Sequence, residues 1–402
     1  MPDRRPSMNH DAGHRSSPRT DVVMLLIWAV LTIAPSIASA QGAGIWELRT
    51  TPATVAAAQK AGASNALRDG GKVTPPGPKK IGLILLSAQS PANQRVVAAA
   101  QLITKLFHFK LIVCDPNFDQ QRAGECATSL VAQQPDAMMS TSESAAALGP
   151  SLQDAHRLGI PWFSLVAGVA PSPAFIPYGI TGRDVGSVYD SWLFAEMAKR
   201  KGPGVPLTIM ALGAPAVGLA INAQQQQLIE DAKKIRDAKI VVLHDLDLSN
   251  IVQDTISIAK RTIQQYPDLG GTWTVCDLCV PLIAQVFATE ERPGMQRPVV
   301  GGDYTMPQTI SLMRQGKVDG VVDVAFESSV YVAFDQLLEK WARGRAIDVD
   351  PDVFGKAYGL KFMKPYMVTR KNVGASGPIP IFGADYKDYF AAKWKAEFGV
   401  GD

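Results

Sequence analysis

The residues best equipped for chemistry in this 402-residue chain are four cysteines, three histidines beyond residue 40, and a scatter of short polar side chains. The cysteines fall into two close pairs, Cys114 with Cys126 and Cys276 with Cys279. An even number at short spacing fits two local disulfides in an oxidising compartment. The second pair is also a C-x-x-C motif, for which a metal site or a redox pair are the alternatives. His108, His156 and His244 stand at no ligand spacing to a cysteine or to one another, so no metal is expected. The motif follows a strand, as redox motifs do, but no other thioredoxin-like signal accompanies it. The chain carries no G-x-S-x-G, Walker A or H-E-x-x-H pattern, and Glu290-Glu291 beside Arg292 and Pro293 reads as a solvated helix end. No catalytic residue and no cofactor are expected, and the protein is read as a binder rather than an enzyme.

Such residues can act only if the chain positions them, and its apolar pattern says how. Ile81 to Ser87 is a continuous apolar run of strand length, followed by Pro91 to Phe107 with apolar residues at helical spacing. Leu111 to Cys114 reads as a second buried strand, and strands ending near Ser140 and Val166 follow helices over 122–133 and 145–158. After a Pro- and Gly-rich passage the order returns: strands at Leu207 to Leu212, Lys239 to Leu243, Gly271 to Val275 and Pro298 to Gly302 alternate with helices. This alternation predicts an α/β fold of two doubly wound parallel-sheet lobes. With 47% hydrophobic residues and a net charge of +3, the chain can bury two cores and offers no field for a nucleic acid. Residues 1–40 read as a signal peptide: arginines precede an apolar run from Val22 to Ala34, too short to span a membrane, and small residues precede Gln41. Export to the periplasm is the expectation, with 41–79 as a surface leader.

Local stretches in the same order resemble the type I periplasmic substrate-binding proteins, the ribose and related sugar-binding group that shares its fold with the LacI-type ligand-binding core. They are Lys80-Ile81-Gly82-Leu83, Gly159-Ile160-Pro161, Gln265-Tyr266-Pro267-Asp268, Val299-Val300-Gly301-Gly302-Asp303, Arg314 to Val318, and Met367 to Val373. The absence of a helix-turn-helix pattern before Ile81 disfavours the repressor branch. The resemblance implies a monomer that captures a small molecule between the lobes and delivers it to the membrane permease of an ABC transporter. A sensor subunit signalling to a receptor kinase would use the same fold. It further implies lobe 1 over 80–172 plus 326–365 and lobe 2 over 173–325 plus 366–402. A three-strand hinge would lie near 168–179, 324–328 and 365–369.

Ligands of open parallel sheets bind beyond the carboxyl ends of the strands. The candidates there are Ser87, Gln89, Asn93, Ser140, Ser142 and Val166 in the first lobe. The second lobe offers Asn222, Cys276, Asp277, Asp303 and Tyr304, and Phe326 lies at the hinge. Ribose-type members place an Asp-Arg pair after the fourth strand and an arginine on the first helix of the second lobe, where this chain has Val166-Ala167 and Asn222. Cys276 replaces an asparagine and Ala325 a glutamine. A pocket so depleted leaves sugar hydroxyls unpartnered, at about 1 to 3 kcal/mol each. The expected ligand is neutral or cationic with few hydroxyls, and Asp303 is its expected principal acceptor.

Overall fold

We describe a computed structural model over residues 46–141, 143, 145–166, 174–178, 182–291, 293, 295–350 and 364–400. Residues 1–40, expected to be a signal peptide, Ser142, Ala167 and residues 168–173 of the expected hinge lie outside this range.

The first sheet has strand order β3-β2-β4-β5-β6, all parallel: β2 (Lys80–Ile84), β3 (Lys110–Cys114), β4 (Ala137–Ser140), β5 (Trp162–Ser164) and β6 (Ile176–Pro177). β2 is sandwiched between two neighbours and buried from Ile81 to Ile84, as its unbroken apolar run requires. β3 carries an equally apolar run, yet it is an edge strand with Val113 exposed. The expectation of a buried second strand fails there because sheet order, not composition, decides how many neighbours cover a strand. The helix expected over 145–158 breaks into Ala145–Leu148 and Pro150–Arg157. Gly149 between them takes φ 54°, and the proline cannot continue the first ladder.

In the second lobe β7 (Leu207–Gly213) lies between β8 (Ala238–Asp245) and β9 (Gly271–Thr274). A parallel bridge from Gly271 to Val299 joins this sheet to β10 (Gly301–Asp303), β11 (Gly320–Asp323) and the antiparallel β12 (Tyr366–Thr369). Parallel strands with intervening helices in both lobes give the doubly wound α/β fold that the sequence pattern predicts. The Cys114–Cys126 and Cys276–Cys279 disulfides both form within a lobe, with α-carbons 5.9 and 5.2 Å apart.

The ends of the chain depart from expectation. Residues 46–79 are not a plain surface leader: Trp46–Arg49 (β1) pairs in parallel with Ile379–Phe382 (β13), and Pro52–Arg68 is a helix, here α1. Thr51 caps α1 through a reciprocal side-chain exchange with Thr54, and Pro52 sits in its first turn. α1 lies on the C-terminal helix, here α2 (Tyr386–Phe398), so closely that a Cβ on Gly62 would stand 2.2 Å from the Tyr389 carbonyl oxygen. The Ala- and Gly-rich composition that suggested a leader is what permits this approach. α2 in turn packs on the first lobe, with Trp394 and Phe398 edge-on to Phe107. Residues 386–400 therefore side with lobe 1 rather than lobe 2, and β6 extends lobe 1 past residue 172. The chain crosses between lobes a fourth time, after β12.

Candidate functional site

Strand ends from both lobes converge on one cavity. Lobe 1 supplies Leu86, Ser90, Ala92, Asn93, Phe118 and Val166, and lobe 2 supplies Ala214, Val217, Ile221, Leu246, Leu248, Ile251, Val275, Cys276, Asp277, Leu278 and Tyr304. The wall is predominantly apolar. Three of its members, Phe118, Val166 and Tyr304, hold positive φ angles of 67°, 52° and 60°. Such backbone costs on the order of 1 to 3 kcal/mol per residue and concentrates where a chain shapes a binding surface.

The polar content of the wall is small and specific. Asp277 Oδ2 accepts from the Ser90 hydroxyl at 2.8 Å, a hydrogen bond from one lobe to the other, and Oδ1 accepts from the Leu278 amide at 2.8 Å. Burial raises the Asp277 carboxyl above its ordinary range, against the pull of these donors. Asn93 Oδ1 and the Tyr304 hydroxyl are buried with no hydrogen-bond partner among the described residues. Burial also pushes the Tyr304 phenol well up, so it stays a neutral donor and acceptor. A buried polar atom without a partner costs about 1 to 3 kcal/mol, which a ligand group placed against it recovers.

Of the residues singled out from sequence, Asn93, Val166, Cys276, Asp277 and Tyr304 meet in this wall. The others do local work. Ser87 accepts from the Gln89 amide at 3.1 Å, and exposed Gln89 donates to Asn117. Ser140 Oγ accepts from the Trp162 indole at 3.1 Å, and half-buried Asn222 lies beside the lining Ile221 without joining the wall. Asp303 is not among the residues that line the cavity. Its two carboxylate oxygens accept from Gln224 Nε2 at 2.9 and 2.8 Å, it is fully buried, and desolvation raises its carboxyl well above the usual range. Its carboxylate is thus taken up by Gln224 of its own lobe, and the next residue, the buried Tyr304, is the one that lines the cavity.

Phe326 sits behind the wall, edge-on to Tyr304 at 4.4 Å, with the Arg95 guanidinium 5.2 Å above its ring. Sequence reasoning passed over Arg95. From the helix Pro91–Leu106 it donates to both Glu327 oxygens at 3.0 and 2.9 Å, to Asp323 at 2.9 Å and to the Val324 carbonyl at 2.9 Å. Burial alone would lower its pKa, but Asp323 and Glu327 outweigh this and raise it. This fork ties lobe 1 to the 323–327 crossing. The apolar lining was also missed. Leu246 and Leu248 follow β8 where a turn is ordinarily polar, and that was the available signal.

Two α/β lobes closing over a buried cavity, with a charged fork at the crossing, define a two-lobed binding protein. The chain belongs to the family described as periplasmic binding protein domain, which it matches over residues 81–345. Solved structures of similar fold include an ABC sugar transporter subunit from Rhodobacter sphaeroides, at 17% identity and TM-score 0.60 over 73% of this chain and 99% of that one. A glucose-galactose binding protein from Geobacillus stearothermophilus matches at 14% and 0.61, covering 74% of this chain and 99% of that one. An ABC transporter solute binding protein from Mycobacterium smegmatis with bound glycerol matches at 19% and 0.59, covering 75% and 99%. No curated protein matches by sequence.

Proposed function

We propose that this chain is an exported solute-binding protein that captures a small, largely apolar molecule bearing one or two hydrogen-bonding groups, neutral or cationic, and delivers it to the permease of an ABC transporter. The observation that carries this reading is the pair of unpartnered buried atoms, Asn93 Oδ1 and the Tyr304 hydroxyl, set in a predominantly apolar wall between the lobes. Asp277, not Asp303, is then the acidic acceptor nearest the ligand. The family and the fold support solute binding, and the R. sphaeroides relative is described as a sugar transporter subunit. A free sugar ring would set several hydroxyls against Leu246, Leu248, Ile251 and Val275, each left without a partner at about 1 to 3 kcal/mol.

Calorimetry on the mature protein tests this with benzyl alcohol and benzylamine against D-ribose. Both aromatic probes should bind and D-ribose should not, and Asp277→Asn should weaken benzylamine about tenfold or more through loss of a charge-assisted bond. Tight binding of D-ribose with neither aromatic probe bound would overturn the ligand class.

A further inference from the structure

The C-x-x-C pair has no part in the capture of a solute as described above, yet one of its members stands in the cavity wall. Cys276 lines the cavity, whereas neither Cys114 nor Cys126 does. The bonded pair closes a loop of sequence separation 3, and within that loop sits Asp277, the residue that accepts from Ser90 across the lobes. We propose that the Cys276–Cys279 disulfide is a thiol-exchange site, at which a dithiol reductant opens the loop that holds Asp277 and loosens the cleft.

Three features carry the inference. The first is loop size. A four-residue loop restricts the unfolded chain less than the Cys114–Cys126 loop of separation 12, so of the two its opening costs the fold less. The second is the leaving group. Cys279 is the first residue of the helix Cys279–Glu290, and its sulfur accepts from the Thr255 hydroxyl at 3.2 Å. A thiolate expelled there meets the positive end of a 12-residue helix, and a hydroxyl that now shares its one proton with the Ile251 carbonyl at 2.7 Å and would have to turn from it to donate fully. The third is access, because Cys276 borders the cavity while Cys279 is fully buried.

The reaction is a two-electron exchange. One thiolate of the dithiol attacks Cys276 Sγ, the Cys276–Cys279 bond breaks, and Cys279 leaves as a thiolate that takes a proton. The second thiolate of the reductant attacks the mixed disulfide and releases Cys276. The reductant becomes a disulfide, and the protein gains two electrons and two protons. Asp277 then no longer sits within a closed loop.

The inference rests on the cavity being the ligand site only for its last consequence, so the test has two arms. In the first, the folded mature protein is treated with dithiothreitol, alkylated with iodoacetamide and mapped, with amide exchange followed over 88–93 and 275–280. Both second-lobe cysteines should take label while far-ultraviolet circular dichroism is unchanged, and exchange in both segments should quicken several-fold. The Cys276→Ser/Cys279→Ser variant should match the reduced protein. Labelling that requires unfolding, or exchange that does not change on reduction, would overturn the proposal. In the second arm benzyl alcohol is titrated into both forms. A dissociation constant about tenfold higher in the reduced form is expected, and equal constants would overturn the coupling to ligand. No binding to the oxidised form would instead overturn the proposed ligand class, leaving the thiol site to be decided by the exchange arm.

Discussion

Arg95 and Lys393 are both buried cations ringed by carboxylates, and they solve the same problem in different ways. Arg95 meets two acids, Asp323 and Glu327, with a planar fork: Nε and Nη2 donate to Glu327, Nη1 to Asp323, and Nη2 also to the Val324 carbonyl. Lys393 is a point charge among four: Asp335 at 2.9 Å, Glu397 at 3.1 Å, Glu339 at 3.5 Å and Asp69 at 3.7 Å. Arg343 and Arg345 pair with Glu339, and Arg345 also approaches Asp69. The first hub sits where the lobes meet. The second sits where α1, the helix Glu327–Arg343 and α2 are brought together on lobe 1. A fork fixes direction, which a crossing between moving lobes requires; a point charge tolerates many partners, which suits the joining of three helices.

Breaking the second hub should have the largest effect. Lys393→Ala strands the carboxylates in the interior and should cost about 3 to 5 kcal/mol in chemical denaturation, while a ligand of the cleft binds the surviving folded protein unchanged. Arg95→Lys should cost less, about 2 kcal/mol, because an ammonium keeps the charge but cannot span Glu327, Asp323 and the Val324 carbonyl together. Its mark is elsewhere: small-angle scattering with a saturating ligand should show less compaction than in the parent. Gly62→Ala sharpens the contrast by disturbing α1 alone, at roughly 1 to 2 kcal/mol for a forced methyl, and should leave closure intact.

The smallest effect per unit change is pH-dependent. Burial, with the neighbouring Asp335 and Glu339 opposing the help from Lys393, raises the Glu397 carboxyl to about 8. A carboxyl whose folded pKa lies above its unfolded value stabilises at low pH, and that stability is lost as pH rises from about 4.5 through about 8. Stability should therefore decline over this window by no more than about 1.4 kcal/mol per pH unit for the one proton, and Glu397→Gln should flatten the decline. An unaltered slope in that variant would place the proton elsewhere.

Much of the scaffold was legible because its signals are local. The strands from Ile81 and Leu207 are long apolar runs, and the helices between them repeat at 3.6 residues. What escaped the sequence depends on neighbours far along the chain. Edge β3 is as apolar as central β2, and only strand order separates them. Residues 46–79 looked like a leader because small residues are ambiguous until a partner helix is known. At the cleft, Asn93 and Asp277 were found by strand-end logic, but Asp303 and Tyr304 are adjacent, and a single residue's rotation decides which one faces a ligand. The apolar wall escaped because a hydrophobic residue after a strand reads as core until the opposite lobe is in place.

The parallel pairing of Trp46 with Ile379 joins the two ends of the described chain. A hairpin forms within microseconds of its residues being available, but this ribbon must wait until both lobes have been made and brought into register. The segment from residue 46 is therefore expected to pair late in assembly, so that its docking would report that assembly is finished. Proteolytic sensitivity within 46–79 should accordingly be the last feature to disappear during refolding, after the two sheets have acquired their protection.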